Sequence, residues 1–416
     1  MLFTPFPFQL AKRCAVLFLI ACGCLVFCVR VLADDPDLVY SAEEFPAEFT
    51  NEEASRHTIV FTGDIMPWDR TKELIRRHGG QYPYSGVLPI LQKADLTVGN
   101  LEGSVAVKAE ITEGTFRYKI PPECLFALRD AGFDLVSLSN NHAMDCGPEG
   151  LQETLLFLQK ATMTSFGAGK NLQEAARAAV VKVGTLRIAF VAAICPETYY
   201  KERENSLETG AYDRMLQLMH SRMGASTERS GLIIATTETI GKLVKEASAA
   251  ADLVIVSLHF GIRYHRPPSE QQRRLAFAAI DAGAALVVGH HSHIWQPVEM
   301  YRGVPIVYGL GNFAFGSANR RANEGMLLRA TLDNKGIAQL EFFPLNTKNQ
   351  DTSVNYQSKV MEEDAARETC RIFNRMALQN GAKLTYERGR SCWNLRSTPS
   401  PLQYAEKIPG KSHAAP

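Results

Sequence analysis

The stretch VVGHHSHIWQP, residues 287–297, places three histidines in four positions directly after an apolar run, AALVVG at 284–289. An apolar run without alternation reads as a strand buried on both faces, the mark of a sheet covered on each side. Polar residues just past the C-terminal end of such a strand sit where layered α/β sheets gather their ligands. His291 and His293 are two apart, so an extended segment would project them to one side, with His290 pointing elsewhere.

Working outward, the same arrangement recurs. Short apolar runs lie at 58–62, 96–98, 135–138, 187–192, 253–258 and 306–308, and amphipathic helical stretches at 122–131, 150–161 and 269–282 separate several of them. Strand–helix alternation of this kind predicts an α/β layered domain. The first strand ends in Gly63 and Asp64, the second in Gly99, Asn100, Leu101 and Glu102. The third ends in Ser139, Asn140, Asn141 and His142, with Asp145 three positions on, and the 253–258 strand ends in His259, Phe260 and Gly261. Taken singly, Gly63 and Asp64 are a common turn, the Asn141 and His142 end and Asp145 a common cap or turn, and His259 a common core histidine; only the His291/His293 pair stands by itself. Five strand ends in order, supplying carboxylates, amides and imidazoles, suit one or two divalent ions such as Mn, Zn or Fe.

Charge excludes one class of partner. With 45 Lys+Arg against 44 Asp+Glu, the chain has no surplus of basic groups for a nucleic-acid face. At the N-terminus, Lys12 and Arg13 precede an apolar stretch over 14–29, and Ala33 follows, as in a signal peptide or a short N-terminal membrane anchor over 1–33. LIAC at 19–22 has the form of a lipoprotein cleavage box, although the residues after Cys22 stay apolar. An acidic linker follows over 34–55. The segment 197–230 is polar and reads as an insertion or lid, and 325–345 reads as a closing hairpin. Beyond 345 a C-terminal extension (346–416) carries one amphipathic helix near 361–379 and a disordered tail. Cys370 and Cys392 could pair in an exported protein.

Five segments together carry a resemblance: FTGD at 61–64, DLTVGNLE at 95–102, AGFDLVSLSNNH at 131–142, GHHSH at 289–293 and YGLGNF at 308–313. In this order, over about 57–317, they are similar to the CapA family of poly-γ-glutamate capsule proteins, whose domain resembles calcineurin-like metallophosphoesterases. The resemblance implies, for the domain at 56–345, an α/β fold: a β-sandwich flanked by helices in four αββα layers. Asp64, Asn141, His259, His291 and His293 would be metal ligands. His142 would be the acid facing a scissile bond, oriented by Asp145, with a metal-activated water as nucleophile. Asn312 would close the pocket wall, and Asn100, His290 and Arg263 would meet the substrate.

Three departures modify that picture. Met66 stands where the phosphoesterase pattern has a histidine, which predicts one tightly held ion and a second, weaker site. Asn100 stands at a metal-bridging position usually held by aspartate, and Glu102, on the same strand face, can take over the bridge. The family usually reads His-Trp-Gly-x-Glu-Tyr where this chain has HFGIRY at 259–264, so Arg263 puts a base beside the site. The implied function is synthesis or export of an anionic capsular polymer at the cell envelope, using a hydrolase-type site. Its substrate would be an anionic polymer or phosphoester, and its partners membrane-bound polymer synthase subunits. The alternative is a non-catalytic polymer-binding or assembly protein on a degenerate site.

Overall fold

Alternate residues of the inner strands go to opposite layers, which explains why those strands are apolar throughout. The computed structural model describes residues 56–112, 117–199 and 210–396. In the strand Leu186–Ile194, Ile188, Phe190 and Ala192 join one buried cluster, while Ala189, Val191 and Ala193 join another. Ile59 and Phe61 of the strand His57–Met66 enter the first of these clusters, and Val60 faces a third. Burying both faces requires a layer on each side.

Among the described residues the first sheet has ten strands. Across it run Thr385–Glu387, Arg390–Asn394, Gly336–Asn346, Glu324–Asp333, His57–Met66, Leu96–Leu101, Leu135–Ser137 and Thr164–Phe166, with Asn312–Phe315 also paired to His57–Met66 and Lys359–Val360 to Gly336–Asn346. The second sheet, of six strands, runs Val298–Tyr301, Val304–Val307, Leu286–His290, Leu253–His259, Leu186–Ile194 and Ala179–Val183. The two sheets face each other across a core that includes Phe166, Phe190, Leu286 and Leu328. Pro122–Asp130 and Gly147–Lys160 cover the outer face of the first sheet, and Thr237–Ser248 and Glu270–Asp281 that of the second. The result is the four-layer αββα sandwich expected.

Parallel pairing brings the polar strand ends to one edge. Asp64 lies opposite both Asn100 and Asn312, and His259 lies opposite His290. Gly63 is needed for this approach: a Cβ there would stand 2.0 Å from the carbonyl oxygen of Gly311. Asp64 N–H donates to that same oxygen at 2.9 Å, so the strand is drawn against the Gly311 turn.

Two features differ from expectation. Cys370 and Cys392 are both free thiols, each buried. The C-terminal region is part of the sandwich, since Arg390–Asn394 pairs with Gly336–Asn346 and Phe373, on the helix Glu363–Gln379, enters the inter-sheet core. Within the 197–230 segment, the helix Ala211–Arg222 is anchored by buried Met219. The export segment, the linker and the tail beyond 396 lie outside the described residues. Among the described residues no helix is long and apolar enough to cross a membrane.

Candidate metal centre

Two donor groups share one carboxylate. Glu102, His259 and His291 offer ligand atoms that all lie within 4.8 Å of one another, and so do Asp64, Glu102 and His293. With metal–nitrogen bonds near 2 Å, neighbouring ligand atoms of a tetrahedral site stand about 3.3 Å apart. Here His259 Nε2 is 3.1 Å from His291 Nδ1, 2.7 Å from Asn141 Oδ1 and 4.0 Å from Glu102 Oε1. In the second group His293 Nδ1 is 3.3 Å from Asp64 Oδ2, and its Nε2 is 3.9 Å from Glu102 Oε1. All five carboxylate and imidazole donors are buried.

The electrostatics of the cluster call for a cation. Both oxygens of Glu102 are buried without a hydrogen-bond partner, as is His291 Nε2. A buried charge without compensation is among the costliest features a fold can carry. Burial, reinforced by the nearby charges of Asp64 and Asp145, pushes the Glu102 carboxyl well above its usual range. Burial also holds His259 and His291 well below the usual imidazole value, so both present neutral nitrogens, the form that binds metal. Burial would raise Asp64 as well, but the imidazoles of His290 and His293 beside it hold it well below the carboxylate range. Orphaned carboxylate oxygens shared between two donor groups, beside the neutral nitrogens of His259 and His291, fit divalent cations.

The turn that carries the histidines is not extended. His291 and His293 both have positive φ, 90° and 56°, a region that non-glycine residues seldom occupy. Each such residue costs about 1–3 kcal/mol, and His291 N–H offsets this by donating to Asp64 Oδ2 at 3.2 Å. The rings therefore converge through left-handed turns rather than through strand alternation. His290, expected to point elsewhere, turns its Nδ1 to within 3.3 Å of Asp64 Oδ1.

Residues expected at the substrate divide in two. Asn100 Nδ2 donates to Asp64 Oδ1 at 2.9 Å, and its Oδ1 accepts from Asn140 Nδ2 at 3.1 Å, so the amide braces the donors. Asn312 Oδ1 accepts from His293 Nδ1 at 2.9 Å, which leaves Nε2, on the side of Glu102, as the nitrogen to meet an ion. Arg263 alone is exposed; its charge is felt by Glu102 and His291. His142 Nδ1 lies 2.8 Å from Asp145 Oδ2, and its Nε2 stands 4.0 Å from Glu102 Oε1. Met66 is buried two residues past Asp64. Sequence reasoning gave no separate role to Asn140, read only as part of a strand end and cap, and none to Arg117 and Tyr118, which belong to no motif and donate to Asp145 through Nη1 and the backbone N–H.

Residues 58–317, which hold every one of these donors, match the model of the family described as bacterial capsule synthesis protein PGA_cap. The chain belongs to the PGA_cap family. It is 29% identical to the capsule biosynthesis protein CapA of Bacillus anthracis, over 73% of this chain and 70% of that protein. It is 27% identical to the PGA biosynthesis protein CapA of Bacillus subtilis (strain 168), over 79% of this chain and 81% of that one. Among solved structures, a hypothetical protein from Thermus thermophilus aligns with 70% of this PGA_cap chain and 99% of its own, at 15% identity and a TM-score of 0.43. A 5'-nucleotidase from Candida albicans aligns with 66% of this chain and 51% of its own, at 10% identity and a TM-score of 0.36.

Proposed function

We propose that this PGA_cap-family protein uses a metal-dependent, hydrolase-type site in the synthesis or export of an anionic capsular polymer such as poly-γ-glutamate. The observation that carries this reading is Glu102, a buried carboxylate with unpartnered oxygens that belongs to both donor groups. Glu102, His259, His291 and Asn141 would hold one Mn, Zn or Fe ion, and Asp64, Glu102 and His293 a weaker second. A bound divalent ion supplies Lewis-acid polarisation of the bond to be broken. With Asp145 accepting from Nδ1–H, His142 would donate from Nε2 in its doubly protonated form, giving the Nε2 proton to the leaving group and keeping the Nδ1 proton bonded to Asp145. Arg263, exposed and with its charge felt by Glu102 and His291, would draw anionic polymer or phosphoester toward the site.

The N-terminal export signal supports a location at the cell envelope, with membrane-bound polymer synthase subunits as partners; recovery of the full chain only in the cytosolic fraction would overturn that location. The decisive experiment is metal analysis of the purified protein, joined to a screen of phosphodiester and γ-glutamyl substrates. Metal-dependent turnover of one of them is the expected result. Polymer binding without turnover at any metal loading would instead favour a non-catalytic assembly protein, a reading to which the neutral Asn100 lends support.

A further inference from the structure

Asp145 is a fully buried carboxylate held by more than its histidine. Its Oδ2 receives His142 Nδ1 at 2.8 Å and the backbone N–H of Tyr118 at 2.7 Å. Its Oδ1 accepts from Arg117 Nη1 at 2.8 Å. The ring of Tyr118 lies against His142, with centroids 4.3 Å apart. Arg117 and Tyr118 thus grip the pair from the carboxylate side and from the ring face. Both are tied to the loop that carries Glu102: Ser104 N–H donates to Tyr118 O at 3.1 Å, and Lys119–Ile120 pairs with Ser104–Val105.

A carboxylate bonded at one oxygen only can rotate and release its partner. With Oδ1 fixed by a guanidinium, Oδ2 stays aimed at Nδ1, so Nδ1 keeps its proton and Nε2 is the nitrogen that gives one up and takes it back; the neutral ring is then the Nδ1–H tautomer. We propose that Arg117 is a positioning residue: it fixes the Asp145 carboxylate and, through it, the tautomer and orientation of His142, without touching the substrate. Nε2 is then the nitrogen presented toward the donor groups. This rests on the proton-donor role proposed for His142, but its structural part can be tested apart from that role.

The test compares the full chain with Arg117→Ala and Arg117→Lys, measuring kcat, KM, bound metal and the His142 tautomer by NMR of 15N-histidine-labelled protein, assigned with His142→Gln. Loss of an outer partner of this kind typically costs about 10–100-fold. We expect kcat of Arg117→Ala to fall by that factor, with KM and metal content unchanged and the Nδ1–H signal of His142 lost or exchanging. Arg117→Lys should recover part of the rate, and millimolar guanidinium should recover part of it in the alanine variant. An unchanged tautomer signal, or a rise in KM with kcat intact, would overturn the proposal, the latter by making Arg117 a substrate contact. Should Arg117→Ala not fold, Arg117→Gln carries the same comparison. If the unsubstituted protein turns nothing over, the functional reading fails and the tautomer measurement still decides this one.

Discussion

Glu102→Gln should reverse its effect according to whether metal is present. The side chain keeps its shape and loses its charge. In metal-free protein, Glu102 is a wholly buried carboxylate with both oxygens unpartnered, close to Asp64 and Asp145. An unsatisfied buried polar group costs about 1–3 kcal/mol, and more when charged. Whether it stays charged or holds a proton well above its usual range, that carboxyl costs the metal-free fold. Glutamine leaves polar atoms just as unpartnered but does not ionise, so the variant should stabilise the metal-free chain by about that amount. A cooperative unit of roughly 330 residues, at about 2.1 cal/mol/K per residue, gains about 1.4 °C per kcal/mol, so Tm should rise by about 1–4 °C. With metal the order inverts. An ion at a hundred times its dissociation constant stabilises by about 2.7 kcal/mol, and Glu102 belongs to both donor groups, so the variant should lose this gain at each. Scanning calorimetry with and without added Mn or Zn, paired with metal analysis, reads both effects. A variant that is less stable without metal, or that keeps its full metal content, would refute the reasoning by showing that Glu102 is satisfied within the fold.

Metal should be held unequally: His291→Ala should strip the tight ion and His293→Ala only the weak one, while Met66→His should strengthen the second, because a thioether is a poor donor among oxygen and nitrogen ligands. Two ions of equal affinity in the unsubstituted protein, measured by titration calorimetry, would contradict this. His142→Ala should lower turnover by about 10²–10⁴-fold with bound metal unchanged; metal loss would make His142 a ligand. Glu341 supplies a test of stability against pH. Burial raises its carboxyl, but Arg329 and Arg390, each 2.6 Å away through Nε, bring it below the usual range. A depressed folded pKa stabilises the fold above the unfolded value, near 4.3, and that contribution is lost as pH falls through the folded pKa. Glu341→Gln should therefore lower Tm at pH 7, with the gap closing on acidification below pH 4; a gap independent of pH would show that packing, not charge, is responsible.

The sequence by itself determined the layered architecture and the edge at which the donors gather. Both are local signals: an apolar run such as 253–258 is buried wherever it lies, and the polar residues that end it must emerge at the sheet's rim. The two-residue spacing that singled out Glu102, which belongs to both donor groups, was legible for the same reason. Tertiary structure decided where each donor points. The positive φ of His291 is held by a hydrogen bond to Asp64, 227 positions away, so no local pattern announced it, and strand alternation gave the wrong cause for the convergence of His291 and His293. His290 likewise turned inward because Asp64 stands there. The strands Thr385–Glu387 and Arg390–Asn394, and the grip of Arg117 and Tyr118 on Asp145, arise from contacts between distant segments. Such contacts depend on packing geometry, which residue spacing does not encode.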